Sequence, residues 1–339
     1  MIEKKKEGHR EVMKKTKKNR IWRVLRNILF SILAAFAIWV IFSNIMTAYE
    51  QKKYQPIGEV VEVDGQDMHI YTKGDGEETI VLLSGLGTAA PALDFEPLIN
   101  EMAKNNKVVV VEPFGYGWSD ITKKERTVEN IVEEIRVALK KSDIKGPYIL
   151  MPHSISGIYS MYFANKYPEE VKGIVGIDPT LPQALEYFGE DAPTMPKYLS
   201  YLAPTGIARL ALYITPDGFL PIADDGTYSK KNLKMTKALS AWKSYNKNVV
   251  AEANELKENI EKTVGMKFPS NIPTLFFTTK EEKVTEDGKN NVSFYKTQLT
   301  DSPASKIVIL EGHHYLHWTR YKEMTKEINK FTNSISGEQ

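Results

Sequence analysis

The chain contains a serine whose surroundings suit nucleophilic catalysis. Ser154 lies in Pro-His-Ser-Ile-Ser-Gly, between an apolar run that ends at Met151 and a helix-like stretch that begins at Ile155. A serine on a tight turn from strand to helix projects its hydroxyl from the edge of a sheet, and the helix N-terminus behind it supplies free N–H groups. The spacing therefore predicts that Ser154 is the nucleophile of an acyl-transfer reaction.

Acyl transfer by serine also needs a base that accepts the hydroxyl proton. His314 lies in Glu-Gly-His-His-Tyr-Leu-His (311–317), directly after the last strand-like run of the chain. Reactive groups of an α/β sheet lie in the loops that follow the carboxyl ends of its strands. We therefore predict that His314 is the base, with His313 and His317 as secondary candidates.

An acid must hold the base, and the sequence leaves three carboxylates open. Glu281 and Glu282 follow the strand-like run 274–278, and Asp178 follows the run 173–177. Either loop can reach a histidine after the last strand. All three satisfy the order of serine, acid and histidine along the chain. We favour Glu282, with Asp178 and Glu281 as alternatives.

The donors for an oxyanion would be backbone amides. Ile155 directly follows the serine, and Leu86 lies between two glycines after a strand-like run. The chain has no cysteine, which excludes thiol nucleophiles and thiolate metal sites. The histidines near the C-terminus match no metal-ligand spacing. We expect neither a metal nor a cofactor.

Eight strand-like runs position these groups. Several are continuous blocks of Val, Ile, Leu and Phe, which is typical of strands that are covered on both faces. Helical patterns separate the later runs, notably at 128–141 and 156–167, and another at 321–331 follows the last run. We therefore predict a mostly parallel, doubly wound sheet. The runs are 59–63, 69–72, 79–83, 107–111, 148–151, 173–177, 274–278 and 306–310.

An insertion interrupts the alternation of strands and helices. From 181 to 271 there is no strong strand signal, and helix-like pieces at 196–202, 231–245 and 249–263 are separated by proline and glycine. So long an insertion between two strands predicts a helical cap over the site. The core of the domain would then comprise 58–180 and 272–335.

The N-terminal part predicts a membrane anchor. The first 26 residues contain 11 Lys and Arg against 3 Glu, whereas the rest of the chain holds 34 basic and 40 acidic residues. An acidic body gives no reason to expect nucleic-acid binding. We interpret 1–27 as a basic cytoplasmic head, 28–48 as an uncharged transmembrane helix and 49–57 as a linker.

The excess of basic residues before the span predicts an extracytoplasmic catalytic domain on a single-pass protein. A cleaved signal peptide is the alternative, because a basic start and an apolar stretch also describe an export signal. The span is long for that, and Met46-Thr47-Ala48 makes a poor cleavage site.

From about Gly58 to Phe331 the chain resembles the α/β-hydrolase superfamily, in the branch with a helical cap after the sixth strand. The resemblance rests on four motifs in the family's order. They are Ser-Gly-Leu-Gly (84–87) as the oxyanion loop, Gly-Tyr-Gly-Trp-Ser-Asp (115–120), Pro-His-Ser-Ile-Ser-Gly (152–157) as the nucleophile elbow, and His-Tyr-Leu-His (314–317).

Four positions depart from the family pattern. Pro152 and Ser156 replace the two glycines that flank the nucleophile, Ser84 replaces a histidine, and Glu282 replaces an aspartate. No reacting group is lost by these changes. Ser156 is small enough for a tightly packed elbow, and Pro152 suits an extended residue before the turn.

The resemblance implies a serine hydrolase of esterase or lipase type that cleaves an ester or amide bond. Together with the predicted anchor, this suits apolar substrates. An aminopeptidase similar to proline iminopeptidase is an alternative, with Glu252 and Glu255 of the cap as ligands for the substrate amine. Such glutamates are more commonly charges on a solvated helix face. A non-catalytic binding protein on the same fold is a third hypothesis, and a serine elbow argues against dehalogenase chemistry.

Overall fold

A computed structural model describes residues 2–280, 285 and 287–336 of the chain. Within these residues a single eight-stranded sheet has the strand order β1-β2-β4-β3-β5-β6-β7-β8. The second strand runs antiparallel to its neighbours, and all other pairs are parallel. The strands are β1 (Glu59–Val63), β2 (Gln66–Lys73), β3 (Thr79–Leu83), β4 (Lys107–Val111), β5 (Tyr148–Pro152), β6 (Val171–Ile177), β7 (Thr274–Thr279) and β8 (Lys306–Leu310).

The predicted mostly parallel sheet is confirmed, and the predicted strands agree with the structure to within a few residues. All residues of β3 and β5 are buried, because helices cover both faces of the sheet. This explains why these strands are continuous apolar blocks. The helices that flank the sheet are α2 (Pro91–Asp94), α3 (Glu96–Met102), α4 (Val128–Lys141) and α5 (Ser156–Lys166), and, after the cap, α11 (Asn291–Lys296), α12 (Leu316–Thr319) and α13 (Tyr321–Ser336).

Between β6 and β7 the chain forms only helices and loops within the described residues. The single helix-like piece at 249–263 is two helices, which divide at Glu255. Two further helices lie where no helix was expected, at Ala184–Phe188 and Ile207–Ile214. The helices of this insertion, here called the cap, are α6 (Ala184–Phe188), α7 (Ile207–Ile214), α8 (Lys230–Lys243), α9 (Lys247–Asn254) and α10 (Leu256–Thr263), with 3-10 turns at Lys197–Tyr201 and Pro216–Gly218.

A single long helix, α1 (Ile2–Lys53), precedes the domain. Its segment from Met13 is long and apolar enough to cross a membrane, and only 6% of its most apolar window is buried. The helix continues through Lys53, so the stretch that was expected to be a linker begins in helical form. Near its C-terminal end α1 contacts the cap, where Arg209 of α7 pairs with Glu50.

Candidate active site

Ser154 lies at the sharp turn between β5 and α5. Its φ of +53° is in the left-handed region, which a residue with a side chain adopts only where the surroundings enforce it. Two backbone hydrogen bonds fix the turn: Ser154 N–H donates to the Ile177 carbonyl (3.3 Å) and Thr180 N–H donates to the Ser154 carbonyl (2.8 Å). The carboxyl ends of β5 and β6 therefore both hold the serine in position, and the residue remains partly exposed.

The two residues that replace glycine in the elbow fit this turn. Pro152 ends β5 in extended conformation. The Ser156 hydroxyl donates a hydrogen bond to the backbone carbonyl of Ser84, at the start of the oxyanion loop. Ser156 thereby links the nucleophile turn to the loop that follows β3. A Cβ on Gly85 would lie 2.8 Å from His153 Nδ1, so this loop needs glycine where it passes the elbow.

The two candidate oxyanion donors lie on these adjoining turns. Among the residues that the structure describes, the N–H groups of Leu86 and Ile155 have no hydrogen-bond acceptor. Ile155 is buried, and a buried N–H group without an acceptor is rare in proteins. Both amides are therefore available to an oxygen atom of a ligand.

The structure brings His314 together with Asp178. His314 Nδ1 lies 2.7 Å from Asp178 Oδ2, and the other carboxylate oxygen accepts hydrogen bonds from Thr278 (3.1 Å) and Tyr295 (3.2 Å). Asp178 is buried, with a φ of +41° directly after β6. An ionised carboxylate at this position holds the proton of His314 on Nδ1 and leaves Nε2 as an acceptor.

Neither the other two acid candidates nor Ser154 has a described hydrogen bond to His314. Glu282 and Glu281, the other acid candidates, lie outside the described residues, so their part in the site stays a prediction. Among the described contacts, Ser154 Oγ makes no hydrogen bond to His314. Hydrogen bonds between nucleophile and base are often long before substrate binds.

The remaining histidines have other partners. His153 is buried, and its Nε2 lies 3.2 Å from the His314 carbonyl, which it can reach only as a donor. Burial, together with His317 and His314, holds the pKa of His153 well below its usual value. His153 is therefore neutral and donates a hydrogen bond to the backbone of His314. His313 lines the cavity described below, and its Nδ1 accepts from the Tyr315 N–H (3.1 Å).

Asp94 is a buried acid that sequence reasoning missed. Its carboxylate accepts hydrogen bonds from His317 Nε2 (2.7 Å) and Trp318 Nε1 (3.0 Å). Burial raises the pKa of Asp94 to about 7. The available signal was a single acid in the apolar stretch from Ala89 to Phe95. Asp94 also lines the cavity, and its raised pKa favours the protonated form there more than in an ordinary carboxyl group.

A cavity of about 610 Å³ separates the cap from the sheet edge. Ligand pockets usually have 300–1,000 Å³, so this volume suits a small molecule. Its walls are mostly apolar, and His314 and Leu86 are among the residues that line it. The cavity is lined by the loop after β3 (86–90), by Asp94, by the cap (Met195, 217–220, Ile222, Thr236, Ser240, Ser244 and Tyr245) and by the segment after β8 (313–315 and Trp318).

Glu252 is not a solvated surface charge. It is buried, and its two carboxylate oxygens accept hydrogen bonds from Tyr116 and Tyr159, each at 2.7 Å. The Tyr116 hydroxyl in turn accepts from the Gly87 N–H of the oxyanion loop (3.3 Å). Tyr159 belongs to α5, the helix behind the serine. One cap glutamate thus connects both turns that carry the candidate oxyanion donors.

No group of three His, Cys, Asp or Glu side chains in the described part of the chain could hold a metal ion. The polar groups around Ser154 are instead a hydrogen-bonded imidazole and two free N–H groups. This set of groups suits proton transfer and the stabilisation of a negatively charged oxygen.

Comparison with known proteins points to one family. A model of the alpha/beta hydrolase fold matches residues 78–321. The uncharacterized protein YbdG of Bacillus subtilis is 30% identical over 336 residues, which cover 93% of this chain and 99% of that protein. A 2-(acetamidomethylene)succinate hydrolase of Mesorhizobium japonicum is 27% identical over 122 residues, 36% of this chain and 42% of that enzyme. The solved epoxide hydrolase VrEH1 of Vigna radiata shares the fold with a TM-score of 0.63 at 17% identity, over 81% of this chain and 97% of its own.

The burial of Glu252 predicts a pH dependence of stability. Burial raises its pKa above the usual value of 4.5, although the two tyrosines and Arg126 oppose the shift. The folded state therefore keeps a proton that the unfolded chain has lost. The free energy of unfolding should fall as the pH rises from about 4.5 through the folded-state pKa, by at most ~1.4 kcal/mol per pH unit from this group.

Glu252→Gln should remove this part of the slope, as measured by urea unfolding between pH 4.5 and 8. Glu255→Gln, a substitution at the next cap glutamate, is the matched control and should keep the wild-type slope. A wild-type slope in Glu252→Gln would show that the buried carboxyl does not carry the excess proton.

Proposed function

Because the chain belongs to the α/β-hydrolase fold family, we propose that it is a membrane-anchored serine hydrolase that cleaves an ester or amide bond through an acyl-enzyme on Ser154. The observation that carries this proposal is the strained Ser154 turn beside the hydrogen-bonded pair of His314 and Asp178. The substrate is a small, mainly apolar molecule that occupies the cavity under the cap.

In the acylation step, His314 Nε2 accepts the hydroxyl proton while Ser154 Oγ attacks the substrate carbonyl carbon. The oxygen of the tetrahedral intermediate accepts hydrogen bonds from the free N–H groups of Leu86 and Ile155. Asp178 stabilises the imidazolium that forms. The proton then passes to the leaving alcohol or amine, and water releases the acid by the same sequence of proton transfers.

The identity of the nucleophile favours acyl over alkyl transfer. Attack of a serine hydroxyl on an epoxide or an alkyl halide would produce an ether, which water does not cleave under mild conditions. Attack on a carbonyl produces an ester that water can hydrolyse. Ser154 therefore supports ester or amide cleavage, even though solved epoxide hydrolases share the fold.

The aminopeptidase alternative is weaker. Both oxygens of Glu252 already accept hydrogen bonds from tyrosines, and the cavity lining does not include Glu252 or Glu255. Asp94 and Asp217 are the acids that line the cavity, and the side chain of Asp94 is occupied by His317 and Trp318. Among the described residues, a substrate amine in the cavity would therefore meet only Asp217.

We place α1 across the membrane, with the basic head in the cytoplasm and the hydrolase domain outside. The uncharged span 28–48 and the excess of Lys and Arg before it support this topology. A membrane position also suits an apolar substrate.

The triad assignment predicts the effect of removing each carboxylate. Asp178→Asn should slow fluorophosphonate labelling of the protein by about 10³- to 10⁴-fold, because His314 loses the acceptor that fixes its tautomer. Glu282→Gln should change the labelling rate less than 10-fold, and Ser154→Ala should not label. Each variant is first compared with the wild type by circular dichroism.

A severe loss in folded Glu282→Gln, with Asp178→Asn close to the wild type, would assign the acid to Glu282. Labelling of Ser154→Ala at the wild-type rate would remove Ser154 from the mechanism. Asp217→Asn, at an exposed acid of the cavity wall, is the matched control for a change of charge.

The apolar cavity predicts a preference for longer acyl chains. kcat/KM for p-nitrophenyl esters should rise from acetate upwards by about 4-fold for each added methylene, until the cavity is filled. Aminoacyl arylamides should be poor substrates. Ser154→Ala provides the background rate, and a higher kcat/KM for the arylamides than for every ester would support the peptidase instead.

A further inference from the structure

The cap contacts α1 well inside the segment that spans the membrane. Trp39 Nε1 donates to the Gly206 carbonyl (3.2 Å), and the Asn44 side chain donates to the Pro204 carbonyl (3.2 Å). Gly206 has a φ of +76°, and a Cβ there would lie 2.5 Å from Ser43. The backbone of the cap therefore lies directly against the helix at this level.

An ion pair stabilises the same contact near the C-terminal end of α1. Arg209 of α7 donates two hydrogen bonds to the carboxylate of Glu50 (2.8 and 2.7 Å) and one to Thr47 (2.9 Å). Trp242 of α8 donates to the same carboxylate (2.9 Å). Charge-assisted and bidentate hydrogen bonds of this kind are among the stronger polar contacts in proteins.

The length of α1 determines how deep this contact lies. The helix is uncharged for 23 residues, from Asn27 to Tyr49, which at 1.5 Å per residue gives about 35 Å, enough for a hydrocarbon core of about 30 Å. Without the contacted part, only the 12 residues 27–38 remain, or about 18 Å. A core of about 30 Å needs about 20 residues, so if α1 spans the bilayer from Asn27, the first part of the contacted segment, with Trp39, Ser43 and Asn44, lies within it.

The cap surface at this depth is suited to lipid. The segment 198–216 contains a single charged residue, Arg209, which is buried against Glu50. Ile207, Leu210 and Ile214 lie on one face of α7, at the spacing i, i+3 and i+7, and all three are exposed. Tyr198, Tyr201 and Tyr213 are also exposed beside them, and tyrosine is enriched at membrane interfaces.

Basic residues border this surface. Helix α8 carries lysines and no acidic residue, and Lys237 lies 5.3 Å from the ring centroid of Tyr213. An apolar face bordered by lysines is typical of segments that lie in the interface of a membrane with anionic lipids. The charge pattern favours lipid over a second copy of the chain, which would bring the same lysines together.

We propose that the cap segment 198–214 is embedded in the bilayer leaflet on the side of the hydrolase domain, so that the cavity opens at the membrane surface. The inference rests on the proposed anchorage by α1. Exposed Ile222, together with Phe219 and Leu220, lines the cavity close after this segment in sequence. Amphiphilic esters dissolved in the leaflet are then the substrates with the shortest path to Ser154.

The absence of cysteine allows a direct test with single-cysteine variants of the full-length protein. Leu210→Cys and Ile214→Cys are labelled with an environment-sensitive fluorophore and reconstituted in vesicles that contain lipids brominated on the acyl chain. Ile38→Cys on α1 is the benchmark for lipid contact. Ile309→Cys, at an exposed apolar residue of β8, is the matched control.

The labels at 210 and 214 should be quenched as strongly as the label at 38, and several-fold more strongly than the label at 309. Quenching at 38 but not at 210 and 214 would overturn the embedded cap and leave the anchor intact. Loss of quenching at all these positions would overturn the anchor as well. A label at 214 that escapes quenching at a low lipid-to-protein ratio, and is quenched only as the ratio rises, would show that a second copy covers the surface.

Discussion

The hydrogen bond between His314 Nδ1 and Asp178 Oδ2 joins two loops that lie 136 residues apart in sequence, and the proposed chemistry of the site depends on it. It can form because β6 and β8 are parallel members of one sheet, separated only by β7, so their carboxyl ends lie at one edge. The same edge carries Ser154 after β5 and the oxyanion loop after β3. The carboxylate also accepts from Thr278 and Tyr295, which restrict it to one orientation.

The sheet, and the position of Ser154 at a turn from strand to helix, could be predicted from the sequence because their signals are local. Buried strands such as β3 and β4 are continuous apolar runs, and Ser154 lies in a turn whose neighbours must be small. The acid could not be chosen in this way, since the sequence gives the order of loops but not the distances between side chains. Asp94 was missed for the same reason, because its partner His317 is 223 residues away.

The cap shows a second limit of sequence reasoning. Helix α7 has apolar residues on the face that contacts α1 and on the exposed face, so the sequence does not say which of the two is covered. Arg209 looks like a surface charge in the sequence, yet it is buried against Glu50. Glu252 was interpreted as a solvated charge, and the structure corrects this, because Tyr116 and Tyr159 enclose it. Long-range polar contacts of this kind hold the cap on the core and on α1.

The central claim is that Asp178 fixes the tautomer of His314. The proton between the two side chains reports this tautomer directly. In ¹⁵N-histidine-labelled protein at neutral pH, His314 should be protonated on Nδ1 and unprotonated on Nε2, with a strongly deshielded Nδ1 proton. That signal should disappear in Asp178→Asn and persist in Glu282→Gln. A neutral His314 protonated on Nε2, or a deshielded proton that survives Asp178→Asn and disappears in Glu282→Gln, would contradict the account.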